Sequence, residues 1–250
     1  EHFYEVMHLA TTFYQVQLEK SEEALHYLQA RGITEETKKI FQIGFAPDSF
    51  DDLWKELTTK HETPIQDLQT VGLVTFNNGK FFNKFRHRIL FPITNPQGTI
   101  VGYGGRVLGE GEPKYLNSPE TPIYHKSSTL FGFSFAKEFI KEQDSVIIVE
   151  GYMDFLSAYQ AGIKNIVATS GTALTEEHVT LLKRVTNNFY FLFDNDTAGW
   201  NATQRNALVA LPKDIALHHI DLQKAKVKDT DEYFQKYTKD EFLELQKSAP

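Results

Sequence analysis

Five acidic residues, Glu150, Asp194, Asp196, Asp229 and Asp231, fall at or after the ends of apolar segments, and a sixth, Asp154, lies on the first turn of the helix after Glu150. Glu150 closes "SVIIVE", and Asp194 and Asp196 close "NFYFLFDND". Asp229 and Asp231 follow "DIALHHIDL" after a short basic linker. The four-residue step from Glu150 to Asp154 predicts two side chains on one face of a helix. Carboxylates brought together repel unless they share protons or bind cations. An all-oxygen set, with no His or Cys pair at metal spacing, points to Mg²⁺ or Mn²⁺ rather than Zn²⁺. Two such ions about 4 Å apart can stabilise both the entering and the leaving oxygen of a phosphoryl transfer. Each acid also has a plainer reading. Asp194 could cap a helix, Glu150 could be a strand-end charge, and Asp229 and Asp231 could be first-turn acids facing a helix dipole. Their recurrence at successive strand ends favours a shared metal site.

The elements that must position these acids are readable from residue 134 onward. "SFAKEFIKEQ", "GYMDFLSAYQAG", "TEEHVTLLKRV" and "TAGWNATQRNALVAL" are helical in pattern, with Thr175 as a cap. "SVIIVE", "NIVATSG", "NFYFLFD" and "DIALHHIDL" are short and apolar, as buried strands are, and "DTDEYFQKYTKDEFLELQK" reads as one helix or two. This alternation predicts a mostly parallel sheet with helices on both faces. Ligands of such sheets bind beyond the carboxyl ends of the strands, where these acids stand. "TSGTA", Thr169 to Ala173, is either a tight turn or a phosphate cradle of backbone N–H groups.

The preceding half has a different texture. Residues 1 to about 75 read as helical, with Ser21, Thr34 and Ser49 as capping candidates and Gly44 and Pro47 as punctuation. "RILFPITNPQGTIVGYGGRVL" reads as two strands joined by a turn. A long Gly- and Pro-rich loop, "GEGEPKYLNSPETPIYHK", follows, and loops of that length are often functional.

The chain has 250 residues, 41% of them hydrophobic and 24% charged, which suffices for one or two domains with real cores. There is no cysteine, so disulfides and thiolate metal sites are excluded. No apolar run approaches the roughly 20 residues of a membrane span, and no secretory signal opens the sequence. The chain starts at Glu1 and stops at "KSAP", as a piece cut from a longer protein would. Its net charge of −7 argues against nucleic acid, but the distribution argues for it. Between Lys80 and Lys126 stand seven basic residues (Lys80, Lys84, Arg86, Arg88, Arg106, Lys114, Lys126) against three acids (Glu110, Glu112, Glu120). A basic surface beside an acidic one is expected. GxxxxGK[ST] is absent, as is a nucleophile elbow, so neither a P-loop enzyme nor a serine hydrolase is indicated.

"VEGYMD", "FDNDTAG" and "KDTDEY" resemble the Toprim module shared by bacterial primases, type IA and II topoisomerases and some nucleases. "KFRHRILFPI", "VGYGGRVL", "PKYLNSPETPIYHK" and "LFGFSFAK" narrow the likeness to the RNA polymerase core of bacterial DnaG-type DNA primases. In that family the last acidic pair sits in a Gly-Asp-Pro-Asp-like context, where this chain has Lys-Asp-Thr-Asp. The resemblance implies an α/β protein: an N-terminal α+β lobe with a basic groove over 1–130, a Toprim catalytic domain with a mostly parallel sheet flanked by helices over 131–235, and the start of a helical region over 236–250. It implies that Glu150 is an essential carboxylate, a metal ligand or a general acid/base. Asp194, Asp196 and Asp229 would bind Mg²⁺ or Mn²⁺, two ions or more, with Asp154 and Asp231 supporting. Arg86, Arg88, Arg106, Lys114, Tyr115, Asn117 and Lys126 would hold nucleotide and nucleic acid. No zinc is expected in these residues, since the family's zinc-binding cysteines are absent. The implied activity is RNA primer synthesis from ribonucleoside triphosphates on single-stranded DNA during replication, in the bacterial cytoplasm at the replication fork, with no membrane. A replicative helicase would dock through a domain absent here, and a guanosine tetraphosphate-type alarmone could inhibit. A Toprim nuclease or topoisomerase fragment and a non-catalytic Toprim nucleic-acid-binding module are the alternatives.

Overall fold

The computed structural model describes residues 1–249. The chain divides into two compact units, one of Glu1–His125 and one from Lys126 onward.

The first unit opens with helices α1 (His2–Lys20), α2 (Glu22–Ala30) and α3 (Glu35–Ile40). Ser21 and Thr34 cap α2 and α3, accepting from the N–H groups of Ala24 and Thr37. The expectation of helix through about residue 75 fails at strand β1 (Gly44–Ala46), which packs so closely on α1 that a Cβ at residue 44 would lie 2.6 Å from that of Tyr14. Helices α4 (Asp52–Lys60) and α5 (Ile65–Thr70) follow. Asp51 occupies the cap position of α4, but the Ser49 hydroxyl accepts from the N–H groups of Asp51 and Asp52.

Strands β2 (Val74–Asn77) and β3 (Lys80–Asn83) form a separate hairpin. Strands β4 (Arg88–Thr94) and β5 (Ile100–Val107) are the antiparallel pair expected from "NPQG". The long loop is not wholly irregular: β6 (Tyr115–Asn117) pairs with β5, giving an antiparallel sheet of order β1-β4-β5-β6. Pro92 is tolerated inside this sheet because β1 covers β4 only from Arg88 to Leu90, so the missing N–H leaves no β1 partner unmatched. Met7, Tyr14, Leu53, Phe85, Leu90 and Tyr103 lie in the core.

The second unit alternates as expected: α6 (Phe133–Gln143), β7 (Val146–Val149), α7 (Tyr152–Gln160), β8 (Ile166–Ala168), α8 (Glu176–Lys183), β9 (Asn188–Phe191), α9 (Thr197–Ala210), β10 (Ala216–His219), α10 (Thr230–Lys236) and α11 (Lys239–Lys247). The four strands are parallel, in the order β10-β9-β7-β8. All of β7 is buried, which is why its sequence is a continuous apolar run. Ile148, Val167, Phe189, Phe191, Val179 and Ala202 meet in the core, and burial of such apolar area is the main stabilising term. Among the described residues, no helix is long and apolar enough to cross a membrane.

Candidate nucleotidyl-transfer site

The carboxyl ends of β7 and β9 bring their acids within each other's electrostatic field. Glu150 follows β7 directly, and its carboxyl is raised, first by burial and then by Asp194 and Asp196, while Arg205 on α9 pulls it down. Asp154, in the first turn of α7, is pushed up to about 8. Burial is the largest cause, and Asp194, Asp229 and Asp231 add repulsion; the Asp231 N–H, which donates to this carboxylate, opposes them. Asp194 is therefore the hub, acting on both Glu150 and Asp154.

Three local expectations need correction. Glu150 precedes the N-cap Gly151 of α7, so helical four-residue spacing does not place it beside Asp154. Strand β9 ends at Phe191, three residues before Asp194, which therefore sits in a loop. The helix cap is Asp196, not Asp194: its carboxylate accepts from the Gly199 N–H at 2.8 Å. Asp229 does the same for α10, accepting from the Glu232 N–H at 2.8 Å.

Four residues that sequence reasoning passed over hold this arrangement. Asn195, between the two acids, donates its main-chain N–H to the Lys228 carbonyl at 2.8 Å and its side-chain Nδ2 to the Val227 carbonyl at 3.2 Å. The loop of Asp194 and Asp196 is thereby fastened to the loop of Asp229. Ser157 on α7 donates to the buried carboxylate of Asp231. Gly199 lets the Asp194 backbone lie against α9, since a Cβ there would stand 2.0 Å from the Asp194 carbonyl oxygen. Arg205 is the cation facing Glu150. Only Asn195, lodged between two acids, carried a sequence signal; the others depend on distant chain segments.

Oxygen donors gathered under mutual repulsion fit a hard divalent cation. Burial raises the Asp154 carboxyl first, and repulsion from Asp194, Asp229 and Asp231 raises it further. Among the described residues, no three acidic or histidine side chains already stand in coordination geometry.

The basic residues of the first unit form smaller groups. Lys84, Arg86 and Arg88 line a cavity of about 390 Å³, with Asp48 and Glu112 also on its wall. Arg88 is buried and donates to the carbonyls of Gly105 and Lys114, and burial and Arg86 together lower its guanidinium. Arg86 lies 4.8 Å above the Phe50 ring. Arg106 lies opposite Tyr115 in the β5–β6 register, 5.9 Å from its ring and 5.0 Å from that of Tyr27. Asn117 pairs with Gly104 on the same two strands, and Lys114 is exposed just before β6. Lys126 instead opens the second unit, in a 3₁₀ turn of Lys126–Ser128.

The parallel sheet with acids beyond its strand ends defines a Toprim-type protein, and residues 147–234 match the Toprim-like family model. Residues 13–137 match the model described as DNA primase catalytic core, N-terminal domain, and the chain belongs to that DNA primase catalytic-core family. It is 39% identical over 246 residues to a DNA primase of Staphylococcus epidermidis, covering 96% of this chain and 41% of the relative. The chain thus spans about two fifths of the length of the curated relatives it matches. A DNA primase domain from Pseudomonas aeruginosa superposes with a TM-score of 0.91 at 36% identity, covering 99% of this chain and 78% of that one. A DnaG primase catalytic domain bound to single-stranded DNA superposes with a TM-score of 0.87 at 36% identity, with the same two coverages of 99% and 78%.

Proposed function

We propose that this chain is a primase core that synthesises short RNA primers on a single-stranded DNA template by metal-dependent nucleotidyl transfer during replication. The gathering of Glu150 and Asp194 beyond β7 and β9 with Asp154 of α7 and Asp229 at the start of α10, each within electrostatic reach of another, carries this reading. A ribose 3′-hydroxyl attacks the α-phosphorus of a ribonucleoside triphosphate. A new P–O bond forms, the bond to the bridging oxygen breaks, and pyrophosphate leaves. Bound Mg²⁺ or Mn²⁺ supplies charge neutralisation and a lowered hydroxyl pKa.

The protein's share is positioning and proton transfer. Asp194, Asp196 and Asp229 would hold the cations, with Asp154 and Asp231 behind them. Glu150, raised by burial and by Asp194, is suited to take the hydroxyl proton, and Arg205 steadies the resulting charge balance. Lys84, Arg86 and Arg88 offer a basic cavity for phosphates. Arg106, Lys114, Tyr115, Asn117 and Lys126 serve triphosphate and nucleic-acid backbone. A single-stranded DNA ligand is supported by the similar DnaG primase catalytic domain whose structure is bound to single-stranded DNA. A guanosine tetraphosphate-type alarmone would compete for the same phosphate contacts, a replicative helicase would dock outside these residues, and the setting is the bacterial cytoplasm at the fork.

Incorporation of labelled ribonucleotides on single-stranded DNA with Mg²⁺ tests the reading. Asp194→Asn should lower incorporation by roughly a thousandfold, in the range of other losses of transition-state charge stabilisation. Undiminished synthesis by that variant contradicts the assignment.

A further inference from the structure

His178 is a fully buried titratable side chain that the proposed chemistry does not use. It stands at the third position of α8, where its Nδ1 accepts from the Thr175 N–H at 3.2 Å. Thr175 returns the bond, its hydroxyl accepting from the His178 N–H at 3.0 Å, so the two residues form a capping box. A Glu or Gln usually fills this place, and its reach ends at the cap. An imidazole has a second nitrogen. With Nδ1 accepting, Nε2 carries the proton, and it donates to the carbonyls of Lys126 at 2.9 Å and Thr129 at 3.1 Å. The Thr175 hydroxyl donates to the Ser127 carbonyl. One helix cap therefore grips the carbonyls of Lys126, Ser127 and Thr129, in and just after the turn that carries Lys126. Burial lowers the His178 imidazole and keeps it in the neutral form that this double role requires.

We propose that Thr175 and His178 are positioning residues that set Lys126 for its contact with the substrate's phosphates, so that the α8 cap acts on substrate affinity through Lys126. This rests on the assignment of Lys126 to nucleotide binding made above.

The test is a double-mutant cycle on the full chain, reading the affinity for a ribonucleoside triphosphate in Mg²⁺ alongside thermal unfolding. Lys126→Ala should weaken binding. Thr175→Val, which keeps the shape but removes the hydroxyl, should weaken it by roughly threefold to tenfold, and His178→Gln similarly. Thr175→Ser should restore it. In the Lys126→Ala background, Thr175→Val should add no further loss, although it still lowers the unfolding temperature. A purely structural cap gives the same loss in both backgrounds, and that result overturns the inference while leaving Lys126 assigned. Unchanged affinity in Lys126→Ala overturns the assignment of Lys126 and the inference with it. Should His178→Gln not fold, the Thr175 pair alone completes the cycle.

Discussion

The main-chain N–H of Asn195 donates to the carbonyl of Lys228 at 2.8 Å, joining two acidic loops that lie more than thirty residues apart in sequence. The Asn195 side chain adds a second bond to the same segment, at Val227, just before α10. Separate loops that must share a cation need such a fastening, because their carboxylates push them apart until the cation arrives.

Asn195→Ala removes the side-chain bond and keeps the main-chain one. It should cost about 1 kcal/mol of stability. Divalent-ion affinity should fall by roughly tenfold or more, as for other outer-sphere supports of metal sites. Calorimetric titration with Mn²⁺ reads the second quantity, and unchanged affinity would show that the fastening does not shape the site.

Asp154 gives the metal-free protein a pH dependence of defined sign. Its carboxyl has an ordinary value of 3.8 and is pushed up to about 8 in the fold. Between those values the folded state binds the proton more tightly than the unfolded state. Stability should therefore fall as pH rises through that window, and level off above about 8. The total change is of the order of a few kcal/mol. Unfolding curves in a chelator should show this slope, Asp154→Asn should flatten it, and excess Mg²⁺ should cancel it by stabilising the charged form.

Gly199→Ala should displace Asp194. The added Cβ would meet the Asp194 carbonyl oxygen at 2.0 Å, and that obstacle is backbone, which cannot rotate away. A stability loss of roughly 1–3 kcal/mol is expected from the overpacking. Ribonucleotide incorporation should fall further than that loss explains. Asn201→Ala, exposed on the same helix, is the control and should leave both unchanged.

Much of the second unit was legible because each element there is locally self-consistent. "VIIV" is apolar throughout since β7 is covered on both faces, and Thr175 stands where α8 begins. Glu150, Asp194 and Asp196 were legible because they follow such strands, whereas Asp229 and Asp231 stand beyond the 3₁₀ turn of Leu222–Ala225, at the start of α10. Three-residue β1 and β6 were not, since "GFA" and "YLN" become strands only through pairing with β4 and β5. The bond from Ser157 to Asp231 spans 74 residues of sequence, and no local pattern announces it. The sequence alone leaves both Asp194 and Asp196 as cap candidates for α9, because both follow the same apolar run. The Gly199 N–H decides between them.

The central claim is that these acids together bind divalent cations that serve nucleotidyl transfer. Anomalous diffraction from crystals grown with Mn²⁺ and a ribonucleoside triphosphate tests it most directly. The expected result is Mn²⁺ density at the carboxylates of Asp194, Asp196 and Asp229, with the triphosphate bound beside it. Mn²⁺ bound elsewhere, with those three carboxylates left without a cation, would contradict it.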